Sequence, residues 1–175
     1  MSTLKPVRLN HLKTQASFLL KELYNSRDNK ATSRFLQISI FSGKSSLWIS
    51  ENIEAIKLKH AFEVIAFENG FNSWASLKNF VVEKDCLYRS GHVGLIYAWF
   101  DDYQKAENYF LKHGGYLITF WKDYIVCGDE YIECLDLLIY KDHWNRIGFN
   151  WVNPADHHSW KFLYDKAKEN YIKLK

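Results

Sequence analysis

Histidine next to aspartate is the pairing in this chain best suited to chemistry, at Asp142-His143 and at Asp156-His157-His158. Imidazole and carboxylate groups together can hold zinc or supply a general base. Adjacent His157 and His158 diverge at a helix start, though, and no His-x3-His spacing supports them, so polar first-turn residues is the competing reading. Cys127 and Cys134, seven apart, fit no zinc-knuckle spacing and read as small buried hydrophobes. No GxSxG, P-loop, GxGxxG or HExxH pattern occurs, which leaves hydrolase, nucleotide and dinucleotide chemistry without support. Aromatic residues are the surplus: 7 Trp, 11 Tyr and 12 Phe among 175 residues. The C-terminal half carries Trp99, Trp121, Trp144, Trp151 and Trp160, more rings than a small domain hides. An exposed aromatic surface is therefore expected, with Trp121 at a hairpin tip beside Lys122 as its foremost member and Trp99 and Trp144 as further ones. Such a surface docks a protein, or stacks on a base or sugar ring.

The elements that must position these residues follow from periodicity. Leu9, Leu12, Ala16, Leu19, Leu20 and Leu23 predict an amphipathic helix over about residues 10–24. Turn chemistry at Asn25-Ser26-Arg27-Asp28-Asn29 precedes a second helix from about Lys30 to Ile40, with Ala31, Phe35 and Ile38 inward. Residues 41–46 break the pattern. A third helix is expected from a Ser50 cap through Ile53, Ile56, Ala61, Val64 and Ile65 to the Asn69-Gly70 stop. Ser73 then caps a fourth, carrying Trp74, Leu77, Phe80 and Val81. Beyond Asp85, the apolar run Val93–Trp99 reads as a buried strand. Asp101 or Asp102 caps a helix through Lys112, ended by His113-Gly114-Gly115. Tyr116–Phe120 and Tyr124–Cys127 form a hairpin around Trp121-Lys122-Asp123, and Asp129 opens a short helix. Residues 146–152 suggest another strand, and a last helix runs from about Ala155 with Trp160, Leu163, Tyr164 and Ala167 inward.

The fold class expected is α+β: a basic four-helix module at 1–84, then a small antiparallel-sheet α+β domain at 85–175. Charge divides the same way. Residues 1–50 carry eight basic against two acidic side chains, 51–84 four against five, and 85–175 eleven against thirteen. The basic N-terminal stretch suits a phosphate backbone, an acidic partner or simply a solvated helix face. No run approaches the roughly 20 apolar residues of a membrane span. The first 15 residues lack an apolar h-region, and three cysteines are an odd count, so a reducing cytoplasm is the expected location.

Leu58-Lys59-His60-Ala61 through Val64-Ile65-Ala66, Glu68, Gly70-Phe71, Ser73-Trp74 and Leu77-Lys78 follow the pattern LKHAxxVIAxExGFxSWxxLK. Residues 8–83, with Leu12-Lys13, Ala16, Leu19-Leu20 and Arg34-Phe35 at their start, resemble a helical accessory segment found in bacterial proteins ahead of ankyrin-repeat arrays and glyoxalase-type domains. That resemblance implies a helical module without catalytic residues of its own. No T-P-L-H-x-A ankyrin signature follows it. Ile65-Ala66, Gly70-Phe71, Ser73, Leu77 and Phe80 are also similar to the helix–turn–helix of AraC-type regulators, which would place Lys78, Asn79 and Lys84 at nucleic acid. Helix packing accounts for the same spacing. His92-Val93-Gly94-Leu95-Ile96 with Asp102, Lys105-Ala106 and Tyr109-Phe110 resembles the opening strand and helix of the vicinal-oxygen-chelate (glyoxalase-like) superfamily. Carried over, that resemblance makes His92 one metal ligand and Glu133 a second.

The leading expectation is a non-catalytic, cytoplasmic, bacterial-type binding or adaptor protein that docks a protein partner and uses no cofactor. A glyoxalase-like metal-dependent enzyme or resistance protein, and DNA binding through residues 60–84, are the alternatives; oligomeric state is left open.

Overall fold

The computed structural model describes residues 4–25 and 29–173, so the turn expected at 25–29 falls largely outside the described residues. The chain is α+β and divides into two compact units, Met1–Val81 and Val82–Lys175. No helix is long and apolar enough to cross a membrane among the described residues.

The first unit is helical. Helices α1 (Leu9–Asn25), α2 (Asn29–Phe35), α3 (Ser46–Glu51), α4 (Leu58–Glu68) and α5 (Trp74–Asp85) precede the sheet, α5 running past the boundary between units. Helix α1 packs against α4, burying Leu12, Ala16 and Leu19 with Ala61, Val64 and Ile65. Arg34 grips Glu68 through two bonds of 2.7 and 2.8 Å, tying α2 to α4. The single helix expected from Ser50 to Glu68 is broken in two. Asn52 turns its side-chain amide back onto the Trp48 carbonyl and ends α3, whose cap is Ser45 rather than Ser50. Five helices therefore stand, among the described residues, where the spacing predicted four.

His60 starts α4. Its Nδ1 accepts the Lys57 backbone N–H at 3.0 Å, and its ring meets Phe41 edge-on. Partial burial first, and Lys59 second, hold its pKa below 6.5. Protonation would turn that acceptor into a donor. The unfolded chain therefore takes up this proton at a higher pH than the folded one, and stability falls as pH drops below about 6.5. Thermal melts at pH 7.5 and 5 should show a loss that His60→Gln, which keeps an acceptor but does not titrate, reduces.

The second unit is built on three antiparallel strands: β1 (Ile96–Phe100), β2 (Tyr116–Phe120) and β3 (Asp123–Cys127), ordered β1-β3-β2. Helix α6 (Tyr103–His113), capped by the Asp102 side chain, covers one face through Ala106, Leu117 and Val126. Helices α7 (Asp129–Cys134), α8 (Lys141–Arg146) and α9 (His157–Lys173) complete the unit, α8 against α9. Gly115 sits at φ +95 just before β2, and a Cβ there would lie 2.6 Å from the Cys127 carbonyl oxygen. Gly115→Ala combines left-handed strain with a backbone clash, so urea unfolding should show a loss of about 2 kcal/mol.

Two strand expectations are corrected. Residues 93–95 form a 3-10 turn, and β1 is an edge strand with alternating exposure rather than a buried one. Residues 146–152 form no strand, because Gly148 and Phe149 both adopt positive φ. Only Asn150 bridges Leu117, with Leu117 N–H donating to the Phe149 carbonyl and Trp151 N–H to that of Leu117. That short stretch covers part of the free edge of β2. Among the described residues no segment pairs with the free edge of β1.

Candidate binding surface

The open strand carries two exposed rings. Tyr97 and Trp99 are 57% and 45% accessible. Phe100 joins the cluster under α6, so Trp99, the next residue back, points to the opposite face. There it leans on Phe120 at 5.2 Å, and Phe120 in turn meets Tyr88. The Trp99 indole N–H donates to Asp123 at 3.0 Å. The Tyr97 hydroxyl lies over Gly128, where a Cβ would come within 1.9 Å of its oxygen and 2.6 Å of the Glu130 carboxylate. That carboxylate, more than desolvation, holds the tyrosine proton on and raises its pKa. Both rings thus have their polar edges fixed by carboxylates while remaining open to solvent. Apolar rings with anchored polar edges suit contact with another molecule.

Trp121 and Trp144, also expected at this surface, are engaged by internal partners. Trp121 is half-buried: it takes φ +57 in the tight β2–β3 turn and donates its indole N–H to Asp85 at 2.8 Å. A buried carboxylate has claimed the ring that the turn's position suggested was exposed. Trp144 is wholly buried, donating to the Leu137 carbonyl and meeting Tyr116 edge-on. Lys122 is exposed at the turn. The tryptophan surplus pointed to Trp99, while nothing pointed to Tyr97, because Val93–Trp99 reads as one continuous apolar run. Its alternation becomes meaningful only once β1 is known to be an edge.

The histidines remain apart from one another's chemistry. His92 is exposed, with Nδ1 3.0 Å from the Ser90 carbonyl oxygen, and Glu133 is exposed on α7. Among the described residues no three His, Cys, Asp or Glu side chains gather as metal ligands. His143 stacks on Phe162 at 4.1 Å. His157 and His158 are exposed in the first turn of α9, where the Asp156 carboxylate accepts the N–H groups of His158 and Ser159. Burial pushes the Cys86 thiol up to about 12 and raises that of Cys127 further, so neither offers a thiolate near neutral pH.

Lys78, Asn79 and Lys84 share α5 but not a face. At about 100° per residue, Lys84 lies about 120–140° around the axis from the other two. A hollow of about 460 Å³ beside α1 is lined by Phe18, Leu19 and Ile65 and by the Arg34–Glu68 pair. Another, of about 350 Å³, is lined by residues 139–143 and Arg146. No protein-family model, curated protein or solved structure matches the chain.

Proposed function

We propose that this chain is a non-catalytic binding protein that docks a protein partner on the open edge and exposed rings of β1. The observation that carries this reading is Tyr97 and Trp99, held by carboxylates on a strand whose second edge has no neighbour among the described residues. Backbone groups on such an edge pair readily with an incoming strand, and proteins commonly blunt them with Lys, Pro or cover. The sequence Ile96-Tyr97-Ala98-Trp99-Phe100 has neither Lys nor Pro, and its one irregularity, between Ile96 and Ala98, leaves Ala98–Phe100 in regular register with β3. The resemblance of residues 8–83 to an accessory segment without catalytic residues supports the same reading.

The test is a photo-crosslinking residue placed at Tyr97, with Leu111 on α6, exposed but remote in type, as the control. Crosslinks to one protein from position 97 alone, with reconstituted binding lost in Trp99→Ser, are the expected result. Crosslinks spread equally over both positions would remove the reading. Stoichiometric divalent metal that disappears in His92→Ala would replace it with the glyoxalase-like alternative.

A further inference from the structure

The acidic rim of β1 identifies the chemistry of what docks there. Glu130 stands at the Tyr97 hydroxyl, Asp123 at the Trp99 indole, and Asp101 and Asp102 directly follow the strand. Asp129 adds negative potential at Tyr97, although it also lies 3.7 Å from Lys141. The lysines nearest in sequence are Lys122 and Lys105, both exposed. Five carboxylates, Asp129 the one shared with Lys141, therefore border a strand that contains no basic residue.

Building on the docking role above, we infer that β1 takes an extended peptide with Lys or Arg at alternate positions, added as a fourth strand. Three features converge on that occupant. The strand edge offers main-chain hydrogen bonds to any extended segment, which supply affinity without sequence preference. Tyr97 and Trp99 are the two exposed rings of β1, Trp99 in register with Ile125 and Tyr97 at the irregularity between Ile96 and Ala98, so an extended peptide along the strand passes both. Each ring has its polar edge bound by a carboxylate, so electron density on its face is increased and a cation above it meets both ring and acid. An alternating basic peptide places one cation at Tyr97–Glu130 and the next at Trp99–Asp123. A second copy of this chain is disfavoured as occupant, because edge-to-edge pairing would bring two acidic rims together.

The experiment is fluorescence anisotropy on the full chain with labelled nine-residue peptides: one alternating Lys/Arg with Val, one alternating Glu with Val, and the basic one N-methylated on alternate amides. The basic peptide should bind at least tenfold more tightly than the acidic one, with affinity falling as salt rises. N-methylation on the edge-facing register should abolish binding. Glu130→Gln with Asp123→Asn should weaken it about tenfold and flatten the salt dependence. Gly128→Ala should displace the Tyr97 ring and weaken binding several-fold while the melting temperature holds, since the atoms it meets are ends of flexible side chains. Leu111→Ala should change nothing. Equal binding of basic and acidic peptides, insensitivity to the two carboxylate substitutions, or sedimentation as a β1-dependent dimer would each overturn the inference. If crosslinking at Tyr97 still identifies a partner while no basic peptide binds, the docking role stands and the peptide chemistry falls. If neither occurs, both fall.

Discussion

Replacing Arg89 by methionine is expected to cost the unit spanning 82–175 about 3 kcal/mol of stability, measured by urea unfolding. Arg89 is 5% exposed, and its guanidinium donates to the carbonyls of Cys134 at 3.0 Å, Tyr88 at 2.8 Å, Cys86 at 3.3 Å and Leu135 at 3.5 Å. Cys134 and Leu135 close α7 and Cys86 follows the last residue of α5, where orphan acceptors and the negative end of the helix dipole favour a cation. The Leu135 carbonyl also accepts the Asn170 amide at 3.0 Å, so Arg89 matters most to the other three. Cys86 and Leu87 are themselves buried, so water is a poor substitute, and the Leu87 carbonyl is taken by the Tyr131 hydroxyl at 2.9 Å. Each stranded acceptor costs about 1 kcal/mol or more, while removing a desolvated cation gives some of this back. Burial is also what pulls the Arg89 pKa below its ordinary value. Arg89→Lys should cost about half as much, because an ammonium keeps the charge but lacks the planar fork that reaches carbonyls of two helix ends. A methionine variant within about 1 kcal/mol of the parent would mean that those carbonyls are satisfied without the guanidinium.

What could be read in advance separates by range. Asp102, Ser73 and the Gly114-Gly115 pair declare helix ends because each acts within three or four residues: the Asp102 carboxylate accepts the Lys105 N–H, and the Ser73 hydroxyl accepts that of Ser76. The β2–β3 hairpin was legible for the same reason. Asn52 was not, since its choice to bond the Trp48 carbonyl competes with an uninterrupted apolar spacing through Ile53 and Ile56. Strand order was hidden more deeply. Whether Val93–Trp99 is a covered strand or an exposed edge depends on which partner β3 selects, a pairing about 30 residues away in the chain. The same limit governs the binding surface. Trp121, at a hairpin tip, reads in sequence as more exposed than Trp99, yet a contact 36 residues distant, to Asp85, holds it half-buried while Trp99 stays open.

That contact leads to the second large effect. Asp85→Leu is expected to destabilise the same unit by about 3–4 kcal/mol and to loosen the β2–β3 turn with it. Asp85 ends α5 at 1% exposure and accepts both the Trp121 indole N–H at 2.8 Å and the Tyr171 hydroxyl at 2.5 Å. A leucine of similar size removes the acceptor of both the half-buried indole N–H and the buried tyrosine hydroxyl, each at about 1–3 kcal/mol. Because the same carboxylate joins the end of α5, the hairpin tip and the last turns of α9, the loss should propagate to amide exchange in the turn at Trp121 and Lys122. Asp85→Asn should cost less, about 1–2 kcal/mol: its oxygen can keep the indole N–H, and the tyrosine hydroxyl can rotate to accept from the new amide. Tyr171→Phe, which deletes a donor without stranding the carboxylate's bond to Trp121, should be the mildest at about 1 kcal/mol. This ordering distinguishes a hydrogen-bonded junction from simple packing, since leucine preserves volume better than it preserves bonding. If leucine and asparagine were equally tolerated, the Trp121 ring would be held by its packing neighbours rather than by Asp85.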